Sequence, residues 1–203
     1  QWDRLKDYAN NNGIKIIGDI PIYVALDSAD VWTNPALFQL DENLKPVNVA
    51  GCPPDAFSDW GQKWGNPIYD WDEMERCDFA WWKKRMAASA KLYDVTRIDH
   101  FIGIVRYYNI PVDGVPKDGF FAKGPGIKLI NAIDSVMGDA KVIAEDLGVV
   151  VPEVTELIKK SGYPGMKVLQ FAFDGNTNNE HAPHNYEKNY VVYIGTHDNE
   201  TMK

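Results

Sequence analysis

Strand-like and helix-like segments alternate along this chain, and the alternation constrains its fold more than any other feature. Runs rich in β-branched and other apolar residues predict strands at positions 14–24, 93–101, 141–148, 166–173 and 190–194. Apolar residues repeat at helical spacing, and so predict helices, at positions 1–12, 72–92, 127–137 and 152–160. This order is typical of an α/β protein with a parallel sheet.

Acidic residues stand at or just after the carboxyl ends of the predicted strands, at Asp99, Glu145, Asp174 and Asp198. In a (β/α)8 barrel all strand ends of this kind open on one face, where the active site is built. A doubly wound sheet would also explain the alternation, but no glycine-rich phosphate-binding loop follows a strand here. We therefore predict a (β/α)8 TIM barrel, although 203 residues are slightly short for a complete one.

Two segments interrupt the alternation, and we predict loop insertions at about 25–72 and 103–126 within one domain over 1–203. In the first insertion no helical or strand pattern lasts long. A compact domain rarely tolerates so long an irregular loop unless the loop is functional. Asp55, Gln62 and Trp64 offer hydrogen-bonding groups and a stacking face. The alternative is a surface excursion that is packed down by its own tryptophans.

The strand at 93–101 carries a candidate nucleophile. Arg97 and Asp99 are two residues apart, so in a strand their side chains point to the same face. A guanidinium beside a carboxylate lowers its pKa and holds it by charge-assisted hydrogen bonds. Asp99 is therefore predicted to stay ionised at neutral pH, as a carboxylate nucleophile must. The alternative is a structural Arg–Asp pair at a strand end.

Three carboxylates at strand ends suit the cleavage of glycosides with retention of configuration. This reaction needs an ionised nucleophile and, about 5–5.5 Å away, a second carboxyl group that first gives and then takes a proton. A third carboxylate can orient sugar hydroxyls and stabilise positive charge. For the pair Glu145-Asp146 taken alone, the alternative is an acid pair at a helix N-terminus.

Composition limits the class of protein and of partner. With 45% hydrophobic and 25% charged residues the chain is globular, and its net charge of −8 argues against binding to nucleic acid or to an anionic membrane. Cys52 and Cys77 stand in no CxxC motif, so they predict neither a zinc site nor a disulfide framework. No signal peptide or apolar run of membrane-spanning length is present. We expect a soluble cytoplasmic protein.

Several motifs together resemble the signature segments of one enzyme family. They are Gly18-Asp19-Ile20-Pro21-Ile22-Tyr23-Val24, Ala50-Gly51-Cys52-Pro53-Pro54-Asp55, Gly61-Gln62-Lys63-Trp64-Gly65-Asn66-Pro67, Arg97-x-Asp99-His100, Glu145-Asp146-Leu147-Gly148, Pro164-Gly165-Met166-Lys167-Val168-Leu169-Gln170-Phe171-Ala172-Phe173 and Thr196-His197-Asp198-Asn199. The family is the 4-α-glucanotransferases (amylomaltases or disproportionating enzymes), glycoside hydrolase family 77 of the α-amylase superfamily. The resemblance runs nearly end to end.

The resemblance implies a role for each carboxylate at the strand ends. It makes Asp99 the nucleophile, Glu145 the general acid/base and Asp198 the residue that stabilises the transition state. Arg97 would hold Asp99 ionised, and His197 would bond sugar hydroxyls beside Asp198. The remaining implied substrate-binding residues are Tyr23, Asp27, Asp55, Gln62, Trp64, His100 and Asp174. The implied reaction moves an α-1,4-glucan segment through a covalent glucosyl-enzyme to another glucan, without cofactor or metal.

The resemblance also implies a barrel of eight strands, whereas about five are predicted here, the third to the seventh. The chain would then be the central part of a larger enzyme or would self-associate through its unpaired strand edges. Two other functions remain open: an α-amylase-like hydrolase of α-glucans, and a non-catalytic glucan-binding module. Incubation of the full-length protein with maltotriose distinguishes the three.

Overall fold

The computed structural model describes residues 1–55, 58–148 and 150–201. Helices in these ranges are α1 (Trp2–Asn11), α2 (Ala29–Thr33), α3 (Trp71–Arg76), α4 (Ala80–Leu92), α5 (Ile127–Met137) and α6 (Pro152–Ser161). Strands are β1 (Ile17–Pro21), β2 (Asn48–Cys52), β3 (Gln62–Pro67), β4 (Val95–Asp99), β5 (Arg106–Pro111), β6 (Phe120–Lys123), β7 (Lys141–Ala144), β8 (Gly165–Val168) and β9 (Tyr190–Tyr193). Helices and strands are mixed along the chain, as the sequence predicts.

Parallel strands form the part of the molecule that the alternating pattern predicts. β4 pairs with β1 on one side and with β7 on the other, both in parallel, and β8 pairs in parallel with β9. The N–H of Ala144 donates to the carbonyl of Pro164, just before β8, over 2.9 Å. β8 therefore lies beside β7, and the parallel strands follow one another in chain order.

Helices α4 and α5 cover the parallel sheet with their apolar sides. Trp82 and Met86 of α4 are fully buried, and so are Leu129 and Ile133 of α5. The helices α5 and α6 begin and end close to the predicted positions. At the end of α6, Gly162 adopts a left-handed conformation with φ of 70°, the usual helix stop by glycine.

The pattern at 72–92 predicts one helix, and this prediction is wrong because the chain turns between α3 and α4. Asp78 and Phe79 are both left-handed, with φ of 53° and 50°. The turn buries the Phe79 ring, which is 4% exposed, and lets Asp78 pair with Lys83 at 2.6 Å. Burial of an aromatic ring offsets the backbone strain that two left-handed residues cost.

The prediction of irregular backbone at 25–72 and 103–126 is also wrong. Strands from the two segments pair with each other in a four-stranded antiparallel sheet of order β3-β2-β5-β6. The strands are short, and three of the four contain glycine or proline, so they carry no lasting alternation. At Gly51 a Cβ atom would lie only 2.1 Å from the carbonyl oxygen of Gln62, so the close approach of β2 and β3 requires glycine there.

Two predicted strands are shorter than their patterns. The run at 14–24 predicts a strand covered on both faces, but β1 spans Ile17–Pro21 and Ile17 is 51% exposed. The run at 166–173 becomes a 3-10 turn, Leu169–Ala172, after β8. Among the described residues, no helix is both long and apolar enough to cross a membrane.

Candidate active site

A cavity of about 690 Å³ opens at the carboxyl ends of β1, β4 and β7. The parallel strands supply one wall, and the antiparallel sheet with its loops supplies the other. The lining residues that the sequence singles out are Tyr23, Asp55, Gln62, Trp64, Arg97, Asp99, His100, Glu145 and Asp198. Side chains separated by up to 175 residues in sequence (198 − 23) therefore meet in one cavity.

Arg97 is shared by two carboxylates at the floor of the cavity. Its Nε and Nη2 donate to Asp19 over 2.9 and 2.5 Å, and Nη2 also lies 3.0 Å from Oδ1 of Asp99. The strand register explains the fork, since Asp19 of β1 pairs directly with Arg97 of β4. The predicted pairing of Arg97 with Asp99 is confirmed, and Asp19 is its second partner.

The predicted lowering of the Asp99 pKa is wrong, because the balance of effects raises it. Burial is the largest effect and raises the pKa; the Arg97 charge lowers it, and the charges of Asp19 and Asp198 raise it again. Asp19 neutralises much of the guanidinium, so less positive charge remains for Asp99. Arg97 opposes the protonation of Asp99 without reversing the effect of burial.

Glu145 lies beside Asp99 and is 7% exposed. Its Oε2 accepts the N–H of His100 over 2.6 Å, and its Oε1 accepts the N–H of Leu147 over 2.8 Å. Burial and then the charge of Asp99 raise the pKa of Glu145 to about 7, although both hydrogen bonds act in the opposite direction. A raised pKa is what the sequence predicts for a carboxyl that must donate a proton near neutral pH.

The turn after β4 gives Glu145 its hydrogen bond. His100 adopts the left-handed conformation with φ of 54°, and the chain continues as a 3-10 turn, Phe101–Ile104. The imidazole meets the Trp64 indole edge to face, with ring centroids 4.8 Å apart. Burial lowers the pKa of His100 to about 4, so its ring is neutral at physiological pH.

Asp198 enters the cavity from the loop after β9. The Asn199 side chain accepts the N–H and the hydroxyl of Thr196 over 2.8 and 3.0 Å, which fixes this loop as a tight turn. The His197 Nε2 lies 3.4 Å from Oδ1 of Asp198, and both side chains are largely exposed. Three carboxylates, Asp99, Glu145 and Asp198, thus face one cavity from three different strand ends.

The protein-family model described as glycoside hydrolase family 77, 4-alpha-glucanotransferase, matches residues 1–203. The chain belongs to this family. The resemblance that the motifs indicate is confirmed.

Curated and solved relatives agree with the family assignment. The chain is 55% identical to the 4-alpha-glucanotransferase of Clostridium butyricum and 51% identical to that of Thermus thermophilus, and it covers 42% and 41% of those proteins. The amylomaltase of Streptococcus agalactiae, solved in complex with acarbose, matches 98% of the chain with a TM-score of 0.93 and 48% identity. The chain spans 40% of that structure. The Corynebacterium glutamicum amylomaltase, 21% identical, shares the fold with a TM-score of 0.85 over 97% of this chain and 28% of its own length.

Three residues that the family resemblance implies as substrate-binding stand apart from the cavity lining. Asp27 and Asp174 are exposed, and Asp174 accepts the N–H of Asn176 over 2.8 Å in a local turn. His197 contacts Asp198 but is not among the lining residues. These three carboxylate and imidazole groups do not line the cavity in this structure, and their roles remain predictions.

Asp146 of the family 77 motif links two strands and does not cap a helix in this structure. Its Oδ1 accepts the N–H of Met166 over 2.7 Å, which ties β7 to β8. At Gly165 a Cβ atom would lie 2.7 Å from the Asp146 carboxylate, so glycine is needed beside it. The alternative interpretation of Glu145-Asp146 as a helix N-terminal acid pair is wrong, because α6 begins only at Pro152.

The sequence does not predict every residue that forms or supports the cavity. Asp19 is outside the lining but holds the Arg97 guanidinium, and an acidic residue near the end of a predicted strand is a signal that the sequence does offer for it. Arg106 and Phe121 line the cavity from β5 and β6, with the guanidinium 4.1 Å from the ring centroid. No pattern in the sequence reveals these two, since their strands were predicted as loop. Within the described ranges, no group of three or more His, Cys, Asp or Glu residues is placed to hold a metal ion.

Proposed function

We propose that this chain carries the catalytic carboxylates of a 4-α-glucanotransferase, which transfers α-1,4-glucan segments with retention of configuration. The observation that carries the proposal is the contrast between two neighbouring carboxyls. The pKa of Glu145 is raised to about 7, while Asp99 is held by a guanidinium at 3.0 Å. A proton donor beside a carboxyl whose ionisation a guanidinium favours is the arrangement that retaining glycoside cleavage requires.

The first half of the reaction forms a bond and breaks one. An Asp99 oxygen attacks the anomeric carbon of the donor glucan, and the glycosidic C–O bond breaks. Glu145 gives its proton to the leaving oxygen, so the leaving glucan departs as an alcohol. Asp198 faces the same cavity and stabilises the positive charge that develops on the sugar ring. The product is a covalent glucosyl ester of Asp99.

The second half reverses these roles on an acceptor. Glu145, now a carboxylate, takes the proton of the 4-hydroxyl of a second glucan, and that oxygen displaces Asp99 from the anomeric carbon. Loss of the Asp99 charge in the ester intermediate favours ionisation of Glu145 at this stage, because the charge of Asp99 helps to keep it protonated. The electrostatic coupling of the two carboxyls therefore serves both steps.

Glucan binding is proposed for the wall of the cavity formed by the antiparallel sheet. Trp64 offers an indole face, Gln62 and Asp55 offer polar groups, and Tyr23 lies beneath them. The solved amylomaltase of S. agalactiae binds acarbose, and we expect the same ligand to occupy this cavity. We propose glucan contacts for His100, and for Asp27, Asp174 and His197 once a long glucan extends beyond the cavity.

We further propose that β1, β4, β7, β8 and β9 are the third to seventh strands of a (β/α)8 barrel. The order of the strands and the length of the relatives support this proposal. A cytoplasmic location is proposed as well, supported by the two free cysteines, Cys52 and Cys77, which suit a reducing compartment.

Product analysis tests the proposed activity. We expect the full-length protein, incubated with maltotriose, to produce a ladder of longer maltooligosaccharides together with glucose. Release of glucose and maltose without longer products would indicate an α-amylase-like hydrolase. Binding without any product would indicate a glucan-binding module, and either outcome would contradict the proposal.

A further inference from the structure

The turn after β4 holds both the side chain and the backbone of Glu145. The N–H of His100 donates to Oε2 of Glu145 over 2.6 Å, and the next N–H, of Phe101, donates to the backbone carbonyl of Glu145 over 2.9 Å. The N–H of Glu145 in turn donates to Ile98 over 3.1 Å. The orientation of the Glu145 carboxyl therefore depends on the conformation of this turn.

His100 holds the turn in a conformation that residues with a side chain rarely adopt. Its φ of 54° is left-handed, which costs on the order of 1 kcal/mol and persists only where the surroundings impose it. The imidazole is enclosed on one side by Gly103, where a Cβ atom would approach its Cδ2 to 3.2 Å. On another side it meets the Trp64 indole at 4.8 Å between centroids and 85° between planes.

Trp64 reaches His100 from a different sheet. It lies on β3, and its Nε1–H donates to Oε1 of Gln62 on the same strand over 3.0 Å. The centroid of the Tyr23 ring lies 6.3 Å from the centroid of the indole. The orientation of the indole is thus set by the antiparallel sheet and by the loop that follows β1.

We propose that Trp64 is a positioning residue for Glu145, because its edge-to-face contact seats the His100 ring and so fixes the turn whose N–H groups hold the side chain and backbone of Glu145. The proposal rests on the proposed role of Glu145 as acid/base. It assigns Trp64 a second task besides stacking on sugar. The antiparallel sheet that lines the cavity would thereby control the geometry and hydration of the proton donor.

The proposal predicts a shift in the pH dependence of catalysis. Without the indole, water reaches His100 and Glu145, so the burial that keeps Glu145 protonated is weakened. The titratable and charged groups that face this pair are Asp99 and Arg97 from β4. Three more act through Asp99: Asp19 from β1, and His197 and Asp198 from the loop after β9. None of them is changed by a substitution at Trp64. His100, with a pKa of about 4, adds no charge near neutral pH.

The test compares pH profiles of kcat/KM for maltotriose in the full-length protein. Trp64→Leu removes the aromatic contact, and Trp64→Phe keeps one. His100→Gly removes the ring while retaining the N–H and a residue that adopts positive φ without strain. Trp60→Leu is the matched control, since Trp60 lies just before the same strand, is 75% exposed and contacts Lys117 rather than His100.

We expect Trp64→Leu and His100→Gly each to move the alkaline limb to lower pH by about half a unit or more, on the scale that loss of burial produces. The double variant should shift it no further than the larger single shift, because both changes remove one contact. Trp64→Phe and Trp60→Leu should keep the wild-type limb. If Trp64→Leu does not fold, His100→Gly and Trp64→Phe still decide the question.

A Trp64→Leu enzyme whose kcat/KM falls equally at every pH, with an unmoved limb, would reduce Trp64 to a substrate contact and overturn the proposal. So would an equal shift in Trp64→Phe or in Trp60→Leu. A separate experiment shows whether the assignment of Glu145 as acid/base is itself wrong. If Glu145→Gln keeps the alkaline limb, that limb does not belong to Glu145 and the proposed function itself is wrong.

Discussion

Asp99 and Glu145 show how two carboxyls at neighbouring strand ends meet different electrostatic surroundings. Burial raises the pKa of both carboxyls. Arg97 is the second largest influence on Asp99 and lowers its pKa, whereas Arg97 is the smallest of the influences on the pKa of Glu145. The chemical types and the strand positions of these residues could be predicted from the sequence. The direction of the change in the Asp99 pKa could not be predicted, because it depends on burial and on Asp19. Asp19 becomes a neighbour only through the pairing of β1 with β4.

Substitution of Asp99, the proposed nucleophile, should abolish transfer but not binding. Asp99→Asn keeps the shape and the contact with Arg97 but removes the negative charge that attacks the anomeric carbon. We expect less than about a thousandth of wild-type transfer in the full-length protein, a barrier increase of ~4 kcal/mol or more. Calorimetric titration with acarbose should give near wild-type affinity. Transfer above that level would remove Asp99 as nucleophile.

Glu145 should set the alkaline limb of the rate profile. As acid it must be protonated, so kcat/KM should fall as the pH rises through its pKa of about 7. The acidic limb should come from Asp99, which must be ionised, and should lie above the range of an ordinary aspartate because its pKa is raised. For Glu145→Gln assayed with an α-glucosyl fluoride donor, whose leaving group needs no proton, the alkaline limb should vanish. Its persistence would count against the assignment.

At the scale of elements, α4 and β4 are joined by a buried pair of hydroxyls. Ser89 Oγ lies 2.7 Å from Thr96 Oγ1, and both residues are almost fully buried. Periodicity predicts the strand, and it predicts α4 only as part of one longer helix at 72–92. The sequence does not predict the contact between the two hydroxyls, because a serine on the buried side of a helix gives no signal of its partner. The antiparallel sheet was missed for a similar reason, because short strands paired across the chain leave no periodic pattern.

Removal of one hydroxyl should cost more than removal of both. Ser89→Ala leaves the Thr96 hydroxyl buried without a partner, so the free energy of unfolding should fall by about 1–3 kcal/mol. The double variant Ser89→Ala with Thr96→Val should recover most of this loss. Ser135→Ala, which removes only a bond to the Ala132 carbonyl within α5, is the control and should change little. Chemical denaturation measures the free energy of unfolding of the full-length wild type and of these three variants. Equal losses in Ser89→Ala and in the double variant would contradict this account of the pair.

At the scale of the whole molecule, the two outer strands of the parallel part expose apolar side chains. Ile17 of β1 is 51% exposed and Val192 of β9 is 47% exposed. Exposed strand edges with apolar residues promote pairing with other chains. The parallel order could be predicted from the alternation of patterns, whereas this exposure could not, because the run at 14–24 is typical of a strand covered on both faces.

The 203-residue chain by itself should therefore associate. Sedimentation velocity should show mass that increases with concentration, and scanning calorimetry should show no single cooperative transition. Replacement of the exposed Ile17 and Val192 by lysine should reduce association without affecting the cavity. A monodisperse monomer that unfolds cooperatively would contradict this expectation and would require the count of five barrel strands to be revised.

The central claim is that Asp99 forms a covalent ester with the donor sugar while Glu145 moves the proton. The most direct test is mass spectrometry of the full-length Glu145→Gln variant after incubation with an α-maltotriosyl fluoride. Fluoride leaves without a proton, so the ester should form; without the Glu145 base it should accumulate. The account predicts an added maltotriosyl mass on the proteolytic peptide that contains Asp99 and no addition in the Asp99→Asn, Glu145→Gln double variant. An adduct on another residue, or none while the fluoride is consumed at the enzyme, would contradict it.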